Sequence, residues 1–507
     1  MPFPDSLSVA VLNTTHPTYD RCALEDLWTL YRNRPESKES AKRFLRKRAF
    51  EADDLYEERL DRFVLCSYLG EITDFFVAGL FLDAPDGLVE DDETAADGDF
   101  WKRFFSNADH RGTDLQRLMR NAWVRALVFA RSYLWVDLPA LPPGAATPET
   151  RADQDALKVR DAYVVPLANA EVLDWEEDDR GDFMHVWLRH VRLVRPSPTA
   201  ADRLLRFTWT LLTRSEFARY QIEVTAVEKN GEWVPKDGPE AFAKLSVPRI
   251  AEGTHTFERV PVLRLELPEG LQLGPKIENM QRHLIEVDNG IAWKHSQGNY
   301  AMPVVKSDQP FQQTLGESYF IQLGAGDSFD WSEPAGATLS LAQEQREKVK
   351  AELFRISHQM AASVGAEAST AGRSGESKRR DMTPTLVVLT ALGEIARDFY
   401  GTVLETVAAG RGDATDDDAF MVAGFSHFDI EELGDFLDSV IKARTVNIPS
   451  PTFQRKLAKK VANRMLPEVT PAEAEAIGKE IDAAPEEAFA STYDPANPGG
   501  NSDEDAA

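Results

Sequence analysis

Any chemistry in this chain has to come from a short list of residues. Nine histidines are present. Two pairs lie fairly close together: His185 and His190, five apart in a strand-like run, and His283 and His295, in or beside one helical stretch. Neither spacing is that of a zinc-binding H-E-x-x-H helix, in which two imidazoles stand one turn apart on one face. The sequence contains no G-x-x-x-x-G-K-[ST] phosphate loop, no G-x-S-x-G nucleophile elbow and no C-x-x-C. Two carboxylate runs, Asp91 to Glu93 and Asp416 to Asp418, are dense enough to attract a divalent ion for a hydrolytic reaction. With 84 acidic residues in the chain, such runs also arise from composition alone, and solvated acidic loops account for them equally well. Two basic groups stand out. Arg373, Lys378, Arg379 and Arg380 surround Ser374, and Arg455, Lys456, Lys459, Lys460 and Arg464 occur in a segment without an acid, "FQRKLAKKVANR". No catalytic residue, metal site or cofactor is assigned.

The elements that would position these residues are built from 507 residues, 43% of them hydrophobic, long enough for three or four globular units. Asp+Glu 84 against Lys+Arg 57 leaves a formal charge of −27. That balance excludes a generic nucleic-acid coat protein, whose affinity comes from Lys and Arg neutralising phosphates. Cys22 and Cys66 are too few for a disulfide framework, which points to a reducing compartment. The N-terminal residues lack the charged start and long apolar core of a secretory signal. The apolar run Phe75 to Leu82 falls far short of the roughly 20 residues of a membrane span. A soluble intracellular protein with no membrane partner is expected. Charge comes in blocks: eight bases against two acids from Arg32 to Arg48, and eight acids with no base from Asp83 to Asp99.

The fold class read from periodicity is α+β. Leu24, Leu27, Trp28 and Tyr31 predict a helix, and further helices are expected at about Leu55 to Phe76 and Asp114 to Val136. From about Ala162 to Leu267, short runs rich in Val, Thr, Trp and Leu, with a turn signal at Asn230-Gly231, predict a half-buried antiparallel sheet. Helical spacing returns from Pro275 (Ile277, Met280, Leu284, Val287, Ile291), gives way to short strands over Met302 to Gly336, and resumes near Leu339 (Ala342, Arg346, Val349, Leu353, Ile356, Met360). Small residues and glycines from Ala361 to Ser377 read as a deformable loop. A long helix comes next, roughly Ser377 to Ala409, with Leu386, Leu389, Leu392, Ile395, Phe399, Val403 and Val407 in its stripe and Pro384 in its first turns or at a kink. Amphipathic helices then lead to "TPAEAEAIGKEI", which carries a capping box at Thr470 and Glu473, and to an acidic tail read as disordered.

This order resembles the portal proteins of tailed bacteriophages, the head-to-tail connectors. The likeness is carried by "VPVLRLELPEGLQLGPKIENMQRHLIEVDNGIAWKHSQGNYAMPVV", "YFIQLGAGDSFDWSEPAGATLSLAQEQREKVKAELFRISHQMA", "SGESKRRDMTPTLVVLTALGEIARDFYGTVLETV" and the N-terminal "PTYDRCALEDLWTLYRNRPESKESAKRFLRKRAFEADDLYEERLDRF" with "VAGLFLDAP". Together these cover somewhat more than a third of the chain, and none is a catalytic fingerprint. The resemblance implies a wing over 1–270 (helical to about 140, β-rich over 160–268), a first stem helix at 275–301, a clip at 302–337 and a second stem helix at 338–361. It further implies a tunnel loop at 362–377, a long wing helix and loop at 378–424, a crown at 425–490 and an acidic tail at 491–507.

On the same resemblance the chain would be a structural protein rather than an enzyme. It would form a ring of twelve copies at the capsid vertex of the virion, assembled in the host cytoplasm beside the major capsid protein. Double-stranded DNA would pass through its channel during packaging and ejection. The large terminase subunit would dock first, then head-tail adaptor or tail proteins. Arg373, Ser374, Lys378, Arg379 and Arg380 would face the DNA from the tunnel loop, unless neighbouring acids neutralise these bases. Arg455, Lys456, Lys459, Lys460 and Arg464 would give the crown a basic patch, facing packaged DNA or forming intersubunit salt bridges with the acidic C-terminal region. Two other classes remain open on sequence grounds: a metal-dependent carboxylate nuclease or hydrolase, and an acidic scaffold or DNA mimic.

Overall fold

The computed structural model describes residues 3–83, 98–141, 144, 146, 148–200, 202–229, 232–298, 302–306, 328–332, 336–357, 375–413, 422, 424, 425, 428, 450–465 and 471–484. The chain divides into two units, Met1–Phe428 and Asp429–Ala507. Strands, and helices of eight residues or more, are numbered in chain order. The first unit opens with β1 (Ser6–Ser8), α1 (Arg21–Arg32), α2 (Asp53–Asp61), α3 (Leu69–Leu80), α4 (Gly98–Ser106) and α5 (Leu115–Phe129). A mainly β region comes next: β2 (Arg131–Asp137), β3 (Tyr163–Leu167), β4 (Val172–Glu177), β5 (Phe183–Val194), β6 (Arg203–Thr213), β7 (Glu216–Lys229), β8 (Glu232–Pro235), β9 (Ser246–Thr254) and β10 (Val262–Glu266), with the short helix Pro239–Ala243 among them. Then come α6 (Leu273–Gly298), β11 (Met302–Lys306), β12 (Ser328–Ser332), α7 (Gly336–Ile356) and α8 (Gly375–Arg411). The second unit contributes α9 (Pro451–Met465) and α10 (Pro471–Ala483). The class is α+β, and among the described residues no helix is long and apolar enough to cross a membrane.

The expected sheet is present and antiparallel, in the order β1-β9-β7-β6-β5-β4 with β8 added to β7. Alternation along its strands decides its two faces. On β6, Leu205, Phe207 and Trp209 enter one apolar core with Tyr220 of β7. The β7 and β8 ladders close at Lys229↔Glu232, while the Asn230-Gly231 link itself lies outside the described residues.

Two helix expectations are corrected. The segment 114–136 is helix only to Phe129; Ala130 takes a left-handed φ of 66° and the chain leaves as β2, which pairs with β3 and β10 in a second sheet. A helical period fits "SYLWV" as well as a strand does, because all five residues are buried and no polar face reveals the period. Alanine is strained in this left-handed geometry where glycine is not. Ala130→Gly is therefore expected to raise stability by about 1 kcal/mol, read from urea unfolding by tryptophan fluorescence; no gain would show that the turn is unstrained.

The expected helix from Leu55 to Phe76 is also two helices, α2 and α3, with a non-helical segment between them. Side chains of α6 take up that segment's backbone groups. Gln281, fully buried, donates to the Cys66 carbonyl (2.9 Å) and accepts from the Tyr68 amide (3.0 Å). Asn289 donates to the Val64 carbonyl (2.9 Å) and accepts from its amide (3.1 Å). Two amides thus do what a neighbouring strand would do, and the helical alternative loses its bonds.

Most of the helices share one core with β2 and β10, built from residues such as Leu30, Ile72, Trp123, Leu263, Ile277, Leu353 and Val403. In α8 the residues of the expected stripe enter it: Leu389, Leu392, Phe399, Val403 and Val407 are buried. Helix α8 begins at Gly375, so residues 375–377, read as loop from sequence, are helical, and Pro384 lies inside the helix rather than at its edge.

Candidate functional site

The part of the fold with the clearest external geometry is the α6–α7 pair. Burial along α6 fades from its root, where Leu273, Ile277, Leu284 and Ile285 are buried, towards exposed Ala292 and Lys294. In α7 it runs the other way, from exposed Leu341 to buried Leu353 and Phe354. The two helices pack on one another, and Asp288 pairs with Arg346 at 2.6 Å. Beyond them β11 pairs antiparallel with β12, Met302 opposite Ser332 and Lys306 opposite Ser328. Asp288 and Arg346 stand fourteen positions before Met302 and fourteen after Ser332. An antiparallel helix pair rooted in the core and ending in a β hairpin matches the expected helix, β insert, helix order. The helices run Leu273–Gly298 and Gly336–Ile356 against expected bounds of 275–301 and 338–361.

The root is held by charge as well as by apolar contact. Asp26 on α1, buried, receives Arg282 of α6 at 2.6 Å and Arg43 at 2.5 Å. The Arg282 guanidinium also lies 4.8 Å from the Phe44 ring centroid. At the start of α6, Gly274 presses against α5: a Cβ there would sit 1.9 Å from the Val128 carbonyl oxygen.

A second cluster closes the far end of α8. Arg160 Nε donates to the Arg411 carbonyl at 2.7 Å, and Arg411 Nη1 returns a bond to the Arg160 carbonyl at 3.2 Å. Asp413 bridges them, 2.7 Å from Arg160 and 2.8 Å from Arg411, and takes Arg151 at 2.5 Å. The Arg411 guanidinium lies 3.6 Å from the Phe100 centroid. None of these residues stands out from sequence as a site. Asp413 is at the head of an acidic run whose composition hides it, and the two arginines it joins lie about 250 positions apart.

The residues expected to meet DNA fall unevenly. Arg373 and Ser374 lie outside the described residues. Lys378, Arg379 and Arg380 are in the first two turns of α8. In the second unit, Lys459 of α9 pairs with Asp482 of α10 at 2.5 Å, and Arg455 donates to the Ala484 carbonyl at 3.4 Å. These two bases join α9 to the end of α10 within one chain. Lys456 is exposed, and spacing by four puts Lys456, Lys460 and Arg464 on one stripe of the helix.

Among the described residues no group of three or more His, Cys, Asp or Glu is arranged to hold a metal. Asp91 to Glu93 and Asp416 to Asp418 lie outside them. Cys22 and Cys66 are both free. No protein-family model matches the chain, and no curated protein matches it.

Proposed function

We propose that this chain is a portal-type connector subunit: a structural protein that closes into a ring of about twelve copies at a capsid vertex and conducts double-stranded DNA. The observation that carries this reading is the rooted α6–α7 pair tipped by β11 and β12 and succeeded by the 37-residue α8. In that reading α6 and α7 are the stem, the β tip is the clip that meets the terminase and later an adaptor or tail protein, and α8 is the long wing helix. The acidic excess supports it physically. A wall that conducts DNA must not trap it, and each basic contact that releases counterions deepens the trap. A ring multiplies the −27 of each chain into a field that keeps phosphates off the wall. The bases at the head of α8 and the Lys456 stripe are the places where DNA contact would be tuned.

The test is direct. Purified protein imaged in negative stain is expected to show rings with a central hole, and native mass measurement a particle about twelvefold heavier than the 56.6 kDa chain. A compact monomer in both would overturn the reading and favour an acidic scaffold or DNA mimic.

A further inference from the structure

The larger sheet carries its apolar residues on one face, and the opposite face of the same strands is polar and only partly covered. On that face Arg192 of β5 stands directly opposite Arg206 of β6, His190 opposite Thr208, and Thr210 opposite Arg219 of β7. Where Val186, Leu188 and Leu212 lie, the face packs against Tyr133 and Trp135 of the second sheet. The polar remainder does not close, and a cavity of about 740 Å³ is left, walled by Arg192, Arg206 and Arg219 on one side and by Trp135, Asp137 and Tyr163 on the other. Its size is within the usual range for small-molecule sites.

The positive charge in this cavity is only partly balanced from within. Like charges directly opposite on neighbouring strands destabilise a sheet. Arg206 is relieved by Glu223 at 2.7 Å, and Arg219 feels the charge of Asp137, but the guanidiniums of Arg192, Arg219 and Arg111, the last at the cavity's edge, make no hydrogen bond or ion pair among the described residues. Asp137 is the one carboxylate among the described lining residues. It already accepts from the Tyr163 hydroxyl at 3.0 Å and the Leu138 amide at 2.9 Å, and burial pushes its pKa up. With Arg206 taken up by Glu223, three guanidiniums face one engaged acid, in a chain whose overall excess is strongly negative. Guanidinium is a donor-only group whose planar fork fits phosphate oxygens two at a time. Trp135 and His190, their rings within 21° of parallel, supply an aromatic wall.

We propose that this cavity binds a small phosphate-bearing ligand, with Arg192 and Arg219 as its main contacts. The inference does not depend on the ring reading.

Calorimetric titration of the full chain with pyrophosphate, ATP and citrate tests it. Saturable binding of pyrophosphate or ATP is expected, weakened roughly 10- to 100-fold by Arg219→Gln and likewise by Arg192→Gln. Arg355→Gln, on the exposed face of α7, should bind as the parent does. Equal binding of pyrophosphate and ATP would identify a polyphosphate site, and stronger binding of ATP a nucleotide site using the aromatic wall. Circular dichroism of each variant confirms that lost binding is not lost fold. Absence of binding by both phosphate probes at millimolar concentration would overturn the proposal. So would binding of citrate alone, or binding indifferent to both arginine substitutions.

Discussion

Asp413→Ala is expected to cost about 3–5 kcal/mol of stability, the usual penalty for removing one partner of a buried ionic cluster. The side chains of Arg411 and Arg160 are 2% and 8% exposed, and Asp413 is the carboxylate that both share. Without it two buried guanidiniums lose the carboxylate they share, while carbonyls, Asp155 and the more distant Asp161 stay in place. The Phe100 ring under Arg411 adds attraction for the cation but accepts no hydrogen bond of comparable strength. Asp413→Asn keeps acceptor oxygen and loses the charge, so it should fall between parent and alanine variant. All ten tryptophans lie between residues 28 and 331, so their fluorescence during urea unfolding reports on the first unit. A midpoint shift equivalent to less than 1 kcal/mol in Asp413→Ala would show that the cluster is not needed to hold the end of α8.

Gly274→Ala should be the other severe change, and its sign is the informative part. In a helix this substitution ordinarily stabilises, by up to about 1 kcal/mol. Here the new methyl would meet a carbonyl oxygen at 1.9 Å and its carbon at 2.8 Å, backbone atoms that no rotamer change can move. Helix α6 must shift away from α5, giving up apolar contact at Leu273 and Ile277, and a loss of about 3 kcal/mol is expected. The same fluorescence-monitored urea unfolding measures it. A stability equal to or above the parent's would mean that α6 can be displaced at its root without penalty.

Much of the helical framework was legible because its periodicity is strong. The stripe read along α8 is the stripe that is buried, and the α6 and α7 bounds fall within a few residues of expectation. The antiparallel sheet was legible for the same reason, through its alternation. Buried strands defeated the reading: β2 has no polar face, so its period could not be told from that of the helix before it. The stretch 62–68 was missed for another reason. Its non-helical path is held by Gln281 and Asn289, more than 200 positions away, and local propensity carries no trace of them. The polar face of the larger sheet was visible as alternation, but the cavity over it required knowing where the second sheet stops. The Asp413 cluster depends wholly on long-range pairing.

The rooting of α6 and α7 in one core has a mechanical consequence. Each helix is buried at one end and exposed at the other, so a force on the exposed ends reaches the core along two separate helices. Helix α6, 26 residues and about 39 Å long at 1.5 Å per residue, delivers its share to the two amide clamps and the Asp26 cluster. Helix α7 delivers its share to Leu353 and Phe354 in the core.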